Sequence, residues 1–243
     1  MTGTVEGSAT NPSPPREVEH ELLRRALAGE RLTRVLDVGC GRGEMSPTVL
    51  ERAREYIGID PDRSRIERAQ QAFQGSGKNR AFLIANSNHL PFTSGSFSGV
   101  ILIRVYHRVA DPSGALREVL RVLEPGGRVI LMVRPKPSPF TLLRDLWTRV
   151  STSGAIHPLS FARAERLEVR PARETGFVET LGVTRRRLGE SGFDSVTELG
   201  HGFEDLPVFR RLPSRFWVRM ASLLPKKLVS PSVLIVATRK GLP

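Results

Sequence analysis

The 243-residue chain predicts an α/β fold built on a doubly wound, mostly parallel sheet. Three observations carry that expectation. Over the first 134 residues, short and almost uninterrupted apolar runs alternate with stretches of helical period, the pattern of strands covered on both faces. The first well-defined run empties into a glycine-rich turn, "VLDVGCGRG" at 35–43. The second, "YIGID" at 56–60, ends in an acid, where ligands sit in such sheets: the C-terminal ends of the strands.

Taken in order, residues 1–15, "MTGTVEGSATNPSPP", hold too little apolar surface to offset the entropy of ordering and are expected as a disordered tail. Ser13 with Pro14 and Pro15 marks a helix start, and "REVEHELLRRALAG" reads as a helix ending at Gly29. A strand at Arg34–Val38, a helix at Glu44–Ala53 and a strand at Glu55–Asp60 follow. Ser64–Phe73 is helical, with Ile66, Ala69 and Phe73 on one face. Strands are expected at Arg80–Ala85 and Ser98–Ile103. Ser113–Leu123 is a helix with a stripe of Leu116, Val119, Leu120 and Leu123, and "EPGG" turns the chain into a fifth strand, Arg128–Val133.

After Pro135 the rhythm breaks, because "RPKPSPF" places three prolines in seven residues. Helices are expected at "LLRDLWTRV", Thr180–Glu190 and Pro213–Leu224, a sixth strand at "GFDSVTEL" and a seventh at Ser232–Thr238. Trp147 and Trp217 read as packing residues. The domain expectation is therefore one unit over 16–243: a ligand-binding core at about 30–134, a variable lid or substrate segment at about 135–230, and a last strand at 232–238.

Composition narrows the function classes. Cys40 is the only cysteine, which excludes an intramolecular disulfide, argues against a cysteine metal cluster and suits a reducing compartment. The N-terminus lacks the apolar core of a signal peptide, and no run approaches the roughly 20 apolar residues of a spanning helix, so a cytoplasmic protein is expected. The histidines, at 20, 89, 107, 157 and 201, show no metal-ligand spacing, and no metal is expected. The net charge is +12, with +4 from residues 1–134 and +8 from 135–243. Pro207–Pro243 holds eight basic residues and no acid. The basic residues are scattered, and 32 of the 37 are arginine, so the excess reads as compositional bias. Nucleic acid or an anionic membrane surface is the alternative reading.

The glycine turn identifies the ligand class. A strand, a glycine-rich turn and a helix aim backbone N–H groups at a ligand, and glycine permits its close approach. Gly39, Gly41 and Gly43 form G-x-G-x-G, with Glu44 where the nicotinamide fingerprint G-x-G-x-x-G has its last glycine. Glu44 and Asp37 would both repel a pyrophosphate. They suit a cationic ligand, and S-adenosylmethionine, with a sulfonium and an ammonium group, meets that description. Asp60 suits ribose hydroxyls, a feature shared with NAD enzymes.

Four stretches together resemble the class I S-adenosylmethionine-dependent methyltransferases, closest to the group that includes the ubiquinone and menaquinone biosynthesis enzymes. They are "VLDVGCGRG" (35–43), "YIGID" (56–60), "NSNHLPF" with "GSFSGVI" (86–101) and "HRVADPSGALREVLRVLEPGGRVIL" (107–131). The resemblance implies a seven-stranded Rossmann-like sheet with a variable C-terminal region. It implies that Gly39, Cys40 and Gly41 pass under the methionine part of the cofactor, that Asp37 orients its ammonium end, that Asp60 holds the ribose, and that Pro61 lies near the adenine. Asn86 stands where the family has the Asp that accepts from the adenine amino group; an amide carbonyl fills that role without charge. Ser87 would offer its backbone N–H to the ring, and Arg104 joins the cofactor-binding set. Ser98 replaces the family's usual Asp at a position expected to be structural. His107, just after the fourth strand, is the candidate catalytic base.

The implied function is S-adenosylmethionine-dependent methyl transfer to a small-molecule acceptor, in line with the sulfonium leaving group. A nucleic-acid methyltransferase and a non-catalytic cofactor-binding protein on the same fold are the rival readings.

Overall fold

The computed structural model describes residues 14–29, 32–77, 79–133, 180–201 and 232–241. Among these, seven strands form one sheet in the order β3-β2-β1-β4-β5-β7-β6. The strands are β1 (Leu32–Val38), β2 (Ala53–Asp60), β3 (Arg80–Ile84), β4 (Phe97–Leu102), β5 (Leu123–Val133), β6 (Phe193–His201) and β7 (Ser232–Arg239). The pairs β1–β2, β2–β3, β1–β4 and β4–β5 are parallel. β7 runs antiparallel to both β5 and β6.

Five α-helices are described: α1 (Pro14–Ala26), α2 (Ser46–Leu50), α3 (Arg63–Ala72), α4 (Pro112–Val122) and α5 (Leu181–Glu190). Side-chain alternation along the strands divides the core into two layers. Val35, Tyr56, Ile101, Ile130 and Met132 pack on one face with Val18, Leu22, Leu23 and Ala26 of α1 and Ile66 and Ala69 of α3. Leu36, Ile59, Val100, Leu102, Val129 and Leu131 pack on the other with Leu116 and Val119 of α4 and Leu181 and Leu188 of α5. Consecutive residues of β4 and β5 thus serve opposite layers, which is why these strands read as continuous apolar runs.

Local chemistry sets the helix starts. The Asp62 carboxylate accepts from the Ser64 and Arg65 N–H groups at the start of α3. Asp111 caps α4 through the Gly114 N–H, with Pro112 in the first turn, and Thr180 caps α5 through the Val183 N–H.

Several boundaries depart from expectation. The helix expected over Glu44–Ala53 is shorter, Ser46–Leu50, and Ala53 already belongs to β2. Residues 39–45 are taken by the glycine turn, in which Gly39, Gly41 and Gly43 all have positive φ. Pro14 and Pro15 open α1 at the expected helix start, as their fixed φ favours in a first turn. "EPGG" lies within β5: pairing with β4 jumps from Phe97↔Leu123 to Gly99↔Arg128, so the turn is an irregular insert in one strand. Residues 1–13 and the expected helices at "LLRDLWTRV" and Pro213–Leu224 lie outside the described residues. No helix among the described residues is long and apolar enough to cross a membrane.

Ser98 has a structural role. Its hydroxyl accepts from the Thr33 and Arg34 N–H groups at 3.0 and 3.2 Å and donates to the Arg34 carbonyl, joining the start of β4 to β1.

Candidate active site

β1 and β4 are neighbours, but their following connections diverge to opposite halves of the sheet, leaving a crevice at their C-terminal ends. An open cleft of about 920 Å³ occupies that place. Its wall includes Asp37, Gly39, Cys40, Gly41, Asp60, Pro61, Asn86, Ser87 and Arg104, so the structure brings together every residue expected to hold the cofactor.

The glycine turn is held from below. Gly39 and Cys40 both donate to the Ile59 carbonyl, at 2.7 and 2.9 Å. A Cβ on Gly39 would lie 2.2 Å from Val105 Cγ2, so the connection after β4 seats directly on the turn. Gly41 differs: no atom lies within 4 Å of where its Cβ would be. The floor of the cleft at Gly41 is open space that a side chain would fill.

Two buried carboxylates flank this floor. Asp60 accepts from the Gly41 N–H at 3.1 Å through Oδ2 and from the Asp62 N–H at 2.9 Å through Oδ1, which fixes the carboxylate against the turn. Arg65 Nη1 stands 3.7 Å from Oδ2. Asp37 is 2 % exposed and accepts from the Tyr56 hydroxyl at 2.7 Å. Burial pushes its pKa up to about 7; the Tyr56 hydrogen bond opposes the rise and the Asp60 charge adds to it.

Tyr56 is the site residue that sequence reasoning missed. In the parallel register Asp37 pairs with Gly58, and Tyr56 lies two residues earlier on the same face of β2. Its hydroxyl reaches the Asp37 carboxylate of the neighbouring strand. A tyrosine two residues before a glycine that pairs with an acid was the available signal.

Other residues take sharper roles. Cys40 is buried, and burial with the charges of Asp37 and Asp60 pushes its thiol pKa up, so it is no thiolate nucleophile. Asn86 Oδ1 accepts from the Asn88 N–H at 3.1 Å, and Asn88 donates to the Asp111 carbonyl at 2.9 Å, so the loop is tied to the start of α4. His107 sits in a single 3₁₀ turn, Tyr106–Arg108. Val105 and Arg108 line the cleft; His107 is not among its lining residues. His157 lies outside the described residues, and His201 ends β6 at the sheet's far edge. Among the described residues no group of three or more His, Cys, Asp or Glu is placed to hold a metal ion.

A doubly wound seven-stranded sheet with an acid-flanked glycine turn at its switch point defines an α/β protein of the Rossmann-like class. Comparison adds a likeness: residues 36–131 match the profile described as a methyltransferase domain. It is 37% identical over 123 residues to the O-methyltransferase rstn1 of Aspergillus nomiae, covering 47% of this chain and 54% of that protein. It is 34% identical over 106 residues to a demethylmenaquinone methyltransferase of Thermus thermophilus, covering 43% of this chain and 48% of the relative. The chain thus spans about half the length of the curated relatives it matches. Among solved structures, a geranyl diphosphate methyltransferase in complex with GPP and sinefungin shares the fold, with a TM-score of 0.60 and 14% identity, over 92% of this chain and 78% of that one.

Proposed function

We propose that the chain is an S-adenosylmethionine-dependent methyltransferase acting on a small-molecule acceptor. The observation that carries this reading is the pair of buried carboxylates, Asp37 and Asp60, on either side of the open floor at Gly41. Two carboxylates disfavour a pyrophosphate and favour a cationic nucleoside with ribose hydroxyls. The geranyl diphosphate methyltransferase complex and the demethylmenaquinone methyltransferase among the relatives agree with it.

When bound, S-adenosylmethionine would supply an activated methyl group. The chain's own contribution is mainly positional, and well-oriented approach is worth about 7–11 kcal/mol of barrier. In this reading Asp60 holds the ribose, with its carboxylate already fixed by the Gly41 and Asp62 N–H groups. Asp37 holds the ammonium end, Asn86 and Ser87 border the adenine, and Pro61 lies beside it. His107 is the candidate base, required only if the acceptor is an O–H, a C–H or a protonated amine; its ring would have to turn toward the neighbouring cleft wall.

Titration calorimetry tests the reading. S-Adenosylmethionine and S-adenosylhomocysteine should bind and NAD should not. Binding of NAD with no response to either sulfur compound would overturn it.

A further inference from the structure

Arg104 is the only residue other than glycine with positive φ among the described residues, at +62°. A bulky side chain held there is costly and persists only where its surroundings fix it. Here the fixing partner is on another element. Arg104 Nε donates to Glu19 Oε1 at 2.8 Å, and Nη2 stands 2.5 Å from Oε2. Glu19 belongs to α1 and is 7 % exposed, whereas the Arg104 side chain is 36 % exposed, and Arg104 is one of the residues of the cleft wall.

The two-point contact uses the Nε–Nη2 edge of the guanidinium. Nη1 and the outer N–H of Nη2 remain as donors for a second anion. In the register of the sheet Asp37 pairs with Ile101 of β4, and Arg104 follows three residues further along the same chain. Asp37 and Arg104 thus lie at the C-terminal ends of adjacent strands, and Val105, next to Arg104, packs on Gly39. A carboxylate and a guanidinium-bearing residue in the wall of one cleft complement a zwitterion.

Resting on the proposed cofactor, we propose that Arg104 receives the carboxylate of the cofactor's amino-acid end while Asp37 receives its ammonium, and that Glu19 is the positioning residue that presents Arg104. The helix α1 is then part of the cofactor site, although it contributes no residue to the cleft wall.

The test uses three ligands on the full chain: S-adenosylhomocysteine; S-adenosyl-3-thiopropylamine, which lacks only the carboxylate; and 5′-methylthioadenosine, which lacks the whole amino-acid end. The unaltered chain should bind S-adenosylhomocysteine about ten- to a hundredfold more tightly than S-adenosyl-3-thiopropylamine, the range of a charged hydrogen-bonded contact. Arg104→Met should abolish that discrimination and leave 5′-methylthioadenosine affinity within about twofold; Arg104→Lys should restore part of it, and Glu19→Gln should weaken it. Equal affinity of the unaltered chain for the first two ligands overturns the proposal without any variant. A parallel loss for all three ligands in Arg104→Met also overturns it, since that marks a merely structural residue. If the unaltered chain binds none of the three, the cofactor reading fails and this inference with it.

Discussion

Asp37 is the residue on which the site's electrostatics turn. Its pKa near 7 comes from burial, offset in part by Tyr56. The unfolded chain releases this proton near the model-peptide value of about 4 and the folded chain near 7, so stability from this group falls between those pH values and is level above them. A bound ammonium group favours the ionised form. Affinity for S-adenosylhomocysteine should therefore rise from pH 5.5 to about 7 and then level off, with a proton released on binding at the acid end. Calorimetry in buffers of different ionisation enthalpy measures that proton, and affinity unchanged from pH 5.5 to 8 would remove Asp37 from the ammonium site. Tyr56→Phe strips the hydrogen bond from a buried carboxylate and should cost about 1–3 kcal/mol of stability, more at pH 8 than at pH 5. Urea unfolding at the two pH values reads the difference. Asp37 was legible because an acid closing an apolar strand is conspicuous; Tyr56 was not, because a tyrosine in an apolar run looks like core until the strand register sets it beside the acid.

At the level of elements, the glycine turn separates two uses of glycine. Gly39 and Gly41 share positive φ, at +75° and +57°, so alanine at either incurs the left-handed penalty of about 1–2 kcal/mol. Gly39→Ala adds an overlap with Val105 and should cost at least about 3 kcal/mol. Gly41→Ala meets nothing and should stay near the backbone penalty, yet its methyl would occupy the cleft floor and weaken cofactor binding at least tenfold. Thermal unfolding and calorimetry on the two variants would show whether stability and binding divide in this way; equal stability losses would contradict the packing described. The same turn explains an error of boundary. "GEMSPTVLERA" carries a helical pattern from Glu44, but a turn with three left-handed glycines uses the chain as far as Met45, and Pro47 belongs in a first helical turn. "EPGG" misled in the opposite direction, since its turn chemistry is real but the strand pairs on both sides of it. The central strands β4 and β5 were readable because alternate residues feed two apolar layers, whereas the antiparallel placement of β7 between β5 and β6 is a matter of pairing that periodicity does not encode.

Across the whole molecule, the sheet fixes where a ligand binds, and the chain after Pro135 was expected to choose the acceptor. The basic excess lies there too, and Arg210, Arg211, Arg215 and Arg219 fall outside the described residues. If those arginines tracked phosphates, RNA affinity would fall steeply with salt. We expect only weak, sequence-independent RNA binding, because Phe209, Leu212, Phe216 and Met220 alternate with them in an amphipathic pattern. Changing all four to glutamine should leave S-adenosylhomocysteine affinity intact; tight, specific RNA binding at physiological salt, lost in that variant, would make nucleic acid the leading substrate.

The central claim, that Asp37 and Asp60 frame a cofactor floor at Gly41, is tested most directly by a crystal structure of the chain with S-adenosylhomocysteine bound. The account predicts ribose hydroxyls within hydrogen-bond distance of the Asp60 carboxylate, the ammonium group at Asp37, and the adenine between Pro61 and the Asn86–Ser87 loop. A ligand bound elsewhere, or seated in the cleft with its ribose away from Asp60, would contradict it.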